Sequence, residues 1–207
     1  MSLELAPEPG RREDLPLELS DEQESVKITG FWMFLVTDVL IFASLFSAYA
    51  VYRPRVATGP GPLELFHFGP ALLETLLLLT SSFTVGIAIY EMRKGRPGGV
   101  MAWTIATLAL GAAFVFLEIH EFASYAALGA TWHQSAFLSA FYVLVGTHGA
   151  HVSFGILWAV TLLVQLARRG LTPVTARKLY TFSLYWHFLD VVWVFIFTVV
   201  YLMGKIA

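Results

Sequence analysis

The sequence predicts an all-α membrane protein, a polytopic bundle of five transmembrane helices. Of its 207 residues, 57% are hydrophobic and 14% are charged, which is more apolar surface than a soluble domain of this length can bury. Five apolar runs, each long enough for the roughly 20 residues that a hydrocarbon core requires, alternate with polar connections. The chain contains no Cys, so disulfides, thiolate metal sites and cysteine nucleophiles are excluded. The net charge of -2 gives no sign of a nucleic-acid partner.

Residues 1–27 are predicted to form an acidic, flexible cytoplasmic tail. They hold eight of the 15 acidic residues together with three Pro, a composition that cannot bury enough apolar surface to fold alone. The stretch also lacks the apolar core of a cleavable signal peptide, so we expect the spans themselves to direct membrane insertion. The remainder, residues 28–207, is predicted to be a single transmembrane domain.

The five spans follow in order and are bounded by basic residues, Gly and Pro. The first ends where an Arg-Pro-Arg sequence begins, and the loop after it is rich in Gly and Pro, which interrupt helices. The second ends at a cluster of Arg and Lys that precedes a Pro, and the fourth ends at an Arg pair. The predicted spans are residues 30–52, 71–92, 100–127, 136–167 and 179–204.

The basic residues predict the orientation of the bundle, because cytoplasmic connections carry an excess of Lys and Arg. Ten of the 13 Lys and Arg residues lie in the N-terminal segment and in the second and fourth connections. Five spans place the two termini on opposite sides of the membrane. We therefore expect a cytoplasmic N-terminus and a periplasmic C-terminus.

Ionisable side chains inside apolar spans are the candidate functional residues. They are costly in hydrocarbon, so by default they point into the bundle and mark a function or a specific helix contact. His148 and His151, three residues apart, share one face of their helix. Counting about 1.5 Å per residue along each helix gives two groups of intramembrane residues. The outer group is Glu74, Glu118 and Glu121, and the central group is His148, His151, His187 and Asp190, with Asp38 as a further candidate.

Three interpretations of these residues stay open on the sequence alone. They can be polar contacts that fix helix register, each worth about 0.6 kcal/mol in a membrane bundle. They can form a metal or haem site, since Glu118 with Glu121 and His148 with His151 have the i, i+3 spacing of helical ligand pairs, although the Glu-x-x-His pairs of di-metal bundles are absent. They can also form a proton path, in which Asp38 holds or relays a proton.

Several stretches together resemble one known family. They are GFWMFLVTDVLIFASLFSAYAV, LLETLLLLTSS, LEIHEF, GTHGAHV and YWHFLDVVW. The chain from residue 28 onward is similar to subunit III of the haem-copper respiratory terminal oxidases, and it is most similar to the cytochrome o ubiquinol oxidase branch. Longer members of that family have two additional N-terminal spans.

The resemblance implies a non-catalytic subunit of a proton-pumping oxidase in the bacterial inner membrane. The complex would oxidise ubiquinol and reduce O2 to water in subunit I, which would carry the haem and copper, with no cofactor in this chain. Subunit I would be the main partner, with subunits II and IV of the oxidase nearby. Subunit III would hold phospholipid in a cleft between its helices and support assembly and sustained proton uptake.

The resemblance also implies roles for particular residues. Asp38 corresponds to the family's membrane-buried carboxylate, which carbodiimides modify, and is Asp where many members have Glu. The other intramembrane ionisable residues named above would be polar contacts between helices. Arg168 and Arg169 would hold a lipid headgroup, or else only determine topology. Two other functions stay as alternatives: subunit III of a cytochrome c oxidase, and a stand-alone transporter or channel lined by the central histidines.

Overall fold

The structure is a computed structural model that describes residues 22–56, 61, 65 and 68–206. Five long helices dominate this part of the chain, and none of its residues lies in a β-strand. Each helix is long and apolar enough to cross a membrane, which confirms the predicted all-α bundle of five spans. The helices are α1 (Glu22–Tyr52), α2 (Phe68–Arg93), α3 (Pro97–Ala127), α4 (Ala136–Arg169) and α5 (Pro173–Ile196). Helix α5 continues as a π-helical segment, Phe197–Leu202, and ends in the short helix α6, Met203–Ile206.

Helix α1 begins earlier than the sequence predicts. Its first residue is Glu22, eight residues before the expected start, so the last residues of the predicted tail are helical. Hydropathy locates only the apolar part of a helix, whereas Glu, Gln and Lys are good helix formers that extend it into the polar region. The rest of the predicted tail, residues 1–21, lies outside the described residues.

Helix α5 also begins earlier, at Pro173 and not near residue 179. Thr172 and Thr175 form a capping box there: the Thr172 hydroxyl accepts from the Thr175 amide at 3.2 Å, and the Thr175 hydroxyl accepts from the Thr172 amide at 2.8 Å. Proline at the first helical position adds to this start signal. Lys178 is therefore part of α5 and not of the connection, and its ammonium donates to Gln165 Oε1 on α4 at 2.7 Å.

The packing of the helices gives a four-membered ring with one helix outside it. Helices α2, α3, α4 and α5 each pack against the next, and α2 packs against α5, which closes the ring. Helix α1 packs against α4 and α5 from outside. We call the end of the bundle where α1 begins the amino end, and the end where α1 finishes the far end.

Trp186 on α5 occupies the centre of this ring. Its indole N–H donates to Ser81 Oγ on α2 at 2.9 Å, and its ring is held between two glycines. A Cβ on Gly111 of α3 would lie 2.7 Å from Trp186 Cη2, and a Cβ on Gly155 of α4 would lie 2.9 Å from Cζ3. The two glycines therefore let α3 and α4 approach the tryptophan closely, as small residues do in lipid-embedded bundles.

Candidate functional site

Three glutamates meet between the helices of the ring, toward the far end. Glu74 comes from α2, and Glu118 and Glu121 come from one face of α3; all three are buried. Each of Glu74 and Glu118 interacts electrostatically with other members of the group. The structure thus brings the predicted outer carboxylates together, and we call Glu74, Glu118 and Glu121 the glutamate cluster.

Two tyrosines hold one member of the glutamate cluster in place. The Tyr125 hydroxyl donates to Glu121 Oε1, and the Tyr201 hydroxyl donates to Glu121 Oε2 at 2.9 Å. Tyr125 is one helical turn away on α3, so its position could be inferred from the i, i+4 spacing. Tyr201 lies in the π-helical segment, which has more residues per turn than an α-helix. The direction of its side chain therefore cannot be predicted from an α-helical period of 3.6 residues.

The other two glutamates lack such donors. Both oxygens of Glu74 and Oε1 of Glu118 are buried without a hydrogen-bond partner among the described residues. The Glu118 carboxylate instead lies against the backbone of α4 at Gly149, where an added Cβ would be 2.6 Å from Oε1. Gly149, the second glycine of the GTHGAHV motif, therefore makes room for a carboxylate. The sequence does not reveal this role.

A cleft of about 420 Å³ leads to the glutamate cluster from the outside of the bundle. It lies between the start of α2 and the end of α3, and its walls include Glu74, Glu121, His120 and Ser124. Leucines from both helices line the cleft beside these polar residues. The cluster is therefore buried by protein on the ring side and approachable through this cleft.

His148 on α4 is enclosed within the ring. It is fully buried, and its Nε2 lies 3.2 Å from the carbonyl oxygen of Leu189 on α5, to which it donates. Aromatic rings surround it, with centroid distances of 5.7 Å to Phe114 and 5.2 Å to Trp193. The described residues offer no partner to its Nδ1. This is the geometry of a packed histidine that links two helices.

Asp38 lies on α1, the helix that packs against α4 and α5 of the ring. Asp38 is buried and interacts electrostatically with His151 on α4 and with Tyr185 on α5. The His151 ring donates from Nδ1 to its own helix, to the Thr147 carbonyl at 2.7 Å. The Tyr185 hydroxyl donates to the His151 carbonyl at 3.0 Å. The carboxylate thus has polar neighbours on two helices of the ring.

His187 and Asp190 form a third, separate site between α2 and α5. Ser82 Oγ lies 2.7 Å from His187 Nδ1, and Asp190 Oδ2 lies 4.0 Å from the same nitrogen. The His187 side chain is 44% exposed, whereas that of Asp190 is 7% exposed. Ser82 was not among the predicted residues, because a serine in an apolar span usually bonds its own backbone.

The predicted central group therefore does not form one site. His148 lies inside the ring, Asp38 lies on α1 and His151 on the side of α4 near it, and His187 with Asp190 lies on the side of α2 and α5. Spacing along each helix predicts only the depth of these residues, and depth does not determine which face of the bundle a side chain occupies. Facing direction depends on how the helices rotate against one another.

The arrangement does not fit a metal or haem site. Among the residues that the structure describes, no group of three or more His, Asp or Glu side chains could hold a metal ion. One ring nitrogen of His148 and one of His151 donate to backbone carbonyls, those of Leu189 and Thr147.

The two candidate lipid ligands lie elsewhere, at the amino end. Arg168 and Arg169 are the last residues of α4, and both are exposed. A groove of about 490 Å³ between α1 and α4 begins about two turns away along α4, with Phe31, Phe34 and Trp158 among its lining residues. The two arginines and this groove occupy the same side of the bundle.

Comparison with known proteins gives a consistent result over most of the chain. The model of the family described as cytochrome c oxidase subunit III matches residues 22–205. Quinol oxidase subunit 3 of Bacillus subtilis is 53% identical over 189 residues, which cover 91% of this chain and 93% of that protein. Cytochrome c oxidase subunit 3 of Bacillus sp. strain PS3 is 51% identical over 181 residues, or 87% of each chain. Cytochrome bo(3) ubiquinol oxidase subunit 3 of Pseudomonas aeruginosa is 47% identical over 179 residues, or 86% of each chain.

Proposed function

The chain belongs to the cytochrome c oxidase subunit III family, and from this membership we propose that it serves as subunit III of a bacterial quinol oxidase. It is a multi-pass protein of the bacterial plasma membrane and a subunit of a haem-copper terminal oxidase complex. In the proposed complex, ubiquinol is oxidised, O2 is reduced to water and protons are translocated.

One observation carries the choice of quinol as electron donor. The relatives that match over about nine-tenths of their own length include quinol oxidase subunits at 53% identity. Cytochrome c oxidase subunits reach 51% and 50%, so the cytochrome c branch is the second candidate. The donor itself would bind another subunit, and an activity measurement on the whole complex separates the two.

We place the reaction in subunit I, with haem and copper there, and give this chain a supporting role in assembly and sustained proton uptake. Subunits II and IV complete the proposed complex. The orientation proposed is amino end to the cytoplasm, because Arg93, Lys94, Arg168 and Arg169 all lie at that end.

Asp38 is the residue we propose to link this chain to proton uptake. It is a buried carboxylate whose electrostatic neighbours are His151 and Tyr185. Intramembrane carboxylates that face the interior often serve proton relays. Glu74, Glu118, Glu121, His148, His187 and Asp190 are proposed as polar contacts between helices.

Bound phospholipid is the third part of the proposal. The groove between α1 and α4 is lined by Phe31, Phe34, Phe154 and Trp158, surfaces that suit an acyl chain. Arg168 and Arg169 lie beyond it at the membrane surface, where a guanidinium can pair with a lipid phosphate. A lipid held in this way would strengthen the attachment of α1 to the ring.

The experiment that tests the function is purification of the intact complex through a tag on this chain. We expect the tagged chain to bring down a haem protein that consumes O2 when ubiquinol is supplied and not when reduced cytochrome c is supplied. Oxygen consumption with cytochrome c alone would select the second branch. A chain that purifies without any haem protein would contradict membership of an oxidase and favour a stand-alone transporter.

A further inference from the structure

The glutamate cluster contains buried carboxyl oxygens that receive no hydrogen bond from the described part of this chain. They are both oxygens of Glu74 and Oε1 of Glu118, and the two residues are 0% and 3% exposed. Among the described residues neither has Lys, Arg or His as an electrostatic neighbour, only other glutamates of the cluster. A carboxylate buried without donors or a counter-charge is strongly unfavourable, so such a group takes up a proton instead.

Glu121 differs from the other two glutamates, because its carboxyl group is supplied with donors. One oxygen accepts from the Tyr125 hydroxyl and the other from the Tyr201 hydroxyl, an arrangement that suits an ionised carboxylate. Tyr201 belongs to the π-helical segment, and such segments often occur at functional sites. A second negative charge beside Glu121 would be repelled, as in carboxyl pairs that share one proton. The cluster therefore favours one charge, on Glu121, and protons on the other two members.

The cleft beside the cluster opens at the far end of the bundle. Glu74 lies six residues after Phe68, the first residue of α2, which is about 9 Å along the helix. Gly69 and Pro70, at the start of α2, and Leu128, directly after the end of α3, also line the cleft. The route from the aqueous phase at that end to the glutamates is therefore short.

A proton fits the surroundings of Glu74 better than a larger ligand does. An ammonium group or a metal ion would have to touch the carboxyl oxygens, and Glu74 is too deeply buried for such contact. No group of three or more His, Asp or Glu side chains in the described ranges could hold a metal ion. A proton needs only a water molecule or a second carboxyl group within hydrogen-bond distance.

Other titratable side chains face the cluster from three elements. They are His120 in the cleft wall and Tyr125 on α3, Tyr142 on α4 and Tyr201 in the π-helical segment. Phenols stay neutral across physiological pH. The exchanging protons of such a site would therefore lie on the carboxyl groups, with the imidazole of His120 at the entrance.

We propose that the glutamate cluster is a proton-binding site that exchanges protons with the aqueous phase at the far end. In this site Glu74 and Glu118 are carboxylic acids and Glu121 carries the charge. A proton that enters through the cleft neutralises one carboxylate, and its release to water restores the charge, so no other reactant is required. This role goes beyond a polar contact between helices. It rests on the proposed function only for the identity of that side, which is the periplasm in the proposed orientation.

Infrared difference spectroscopy of the assembled complex tests the protonation of the cluster. The complex is purified through a tag on this chain, and the spectrum of each variant is subtracted from that of wild type. The C=O stretch of a carboxylic acid is separate from the bands of carboxylates and amides. We expect Glu74→Gln and Glu118→Gln each to lose one carboxylic acid band. Glu91→Gln is the control, because Glu91 lies 3.8 Å from Arg96 at the amino end and should lose carboxylate absorption only.

Retention of all the wild-type acid bands by either of the two cluster variants would overturn the proposal. Loss of haem from either variant would also overturn it, since Gln replaces a neutral acid by a neutral amide of nearly equal size. Haem content and O2 consumption under ubiquinol test the proposed function separately. An active complex without acid bands from the cluster refutes the site alone, and acid bands in a preparation without oxidase activity refute the function alone.

Exchange in D2O tests the route to the cluster, because the acid bands shift when deuterons replace protons. Ser124 lines the cleft, whereas Ala123, its exposed neighbour on α3, is not among the lining residues. Ser124→Phe fills the cleft and should slow the exchange of the Glu74 band several-fold. Ala123→Phe should exchange at the wild-type rate. Equal exchange rates in the two variants would overturn proton exchange through the cleft.

Discussion

His148 and His187 are both imidazoles in apolar helices, and the molecule accommodates them in opposite ways. His148 is enclosed by α3, α4 and α5 and donates to a carbonyl of this chain, whereas His187 is 44% exposed between α2 and α5. The first has Nδ1 without a hydrogen-bond partner among the described residues, but protein encloses the whole ring. The second shares its Nδ1 with Ser82 and lies at the surface of the chain. An ionisable residue in a span therefore does not by itself mark a site, because one of these rings is a packed contact inside the chain and the other borders its surroundings.

The comparison implies that the ring interior carries the stability of the chain, and Trp186 gives the largest test. Trp186→Ala removes a fully enclosed ring and its bond to Ser81. Truncation of a buried tryptophan typically costs about 3–5 kcal/mol, so we expect the chain to accumulate poorly and the complex to lose thermal stability. Trp32→Ala, at a half-exposed position of α1, is the control. Equal thermal stability of the two variants would contradict the assignment of stability to the ring interior.

Two glycines sharpen the same comparison with a single added methyl group. Gly111→Ala places a Cβ 2.7 Å from the Trp186 ring, and overpacking of this kind costs about 1–3 kcal/mol. Gly86→Ala adds a methyl group where nothing lies within 4 Å, and the better helix propensity of Ala should stabilise the chain by up to about 1 kcal/mol. Thermal unfolding of both variants, in the same detergent, should therefore shift in opposite directions. An unchanged or raised midpoint for Gly111→Ala would show that the Trp186 contact yields without cost.

The glutamate cluster offers a smaller effect within the ring. Tyr201→Phe removes the hydroxyl that donates to Glu121 Oε2 at 2.9 Å and deprives a buried acceptor of that donor, which costs about 1–3 kcal/mol. Tyr90→Phe, at an exposed position of α2, is the matched control and should have little effect on the chain. The measurement is the thermal midpoint of each complex. A Tyr201→Phe midpoint equal to that of wild type would mean that other contacts hold Glu121.

The sequence predicted the parts of this molecule that depend on local pattern. Five spans follow from apolar length, and the depth expected of Glu74, Glu118 and Glu121 is counted from the rise per residue, because both are properties of one helix at a time. The partners of those residues depend on rotation between helices. In the sequence, Gly149 and Gly111 cannot be told from the other small residues of the spans. Their roles follow only from the structure, in which Glu118 lies against Gly149 and Trp186 lies against Gly111. Tyr201 was unpredictable for a different reason, since a π-helical segment breaks the period on which the pattern rests.

Asp38 lies between the two extremes of the comparison, because it is buried like His148 but belongs to α1, the helix outside the ring. Because its polar neighbours come from α4 and α5, we expect Asp38→Asn, of nearly equal size, to leave assembly and thermal stability close to wild type. The loss should appear in function, as slower proton uptake or a shorter period of sustained O2 consumption under ubiquinol, with Asp38→Glu retaining activity because it keeps the carboxyl group. Haem content of the purified complex controls for assembly. Unchanged turnover and lifetime in Asp38→Asn would reduce this carboxylate to a helix contact, equivalent to His148 in the ring.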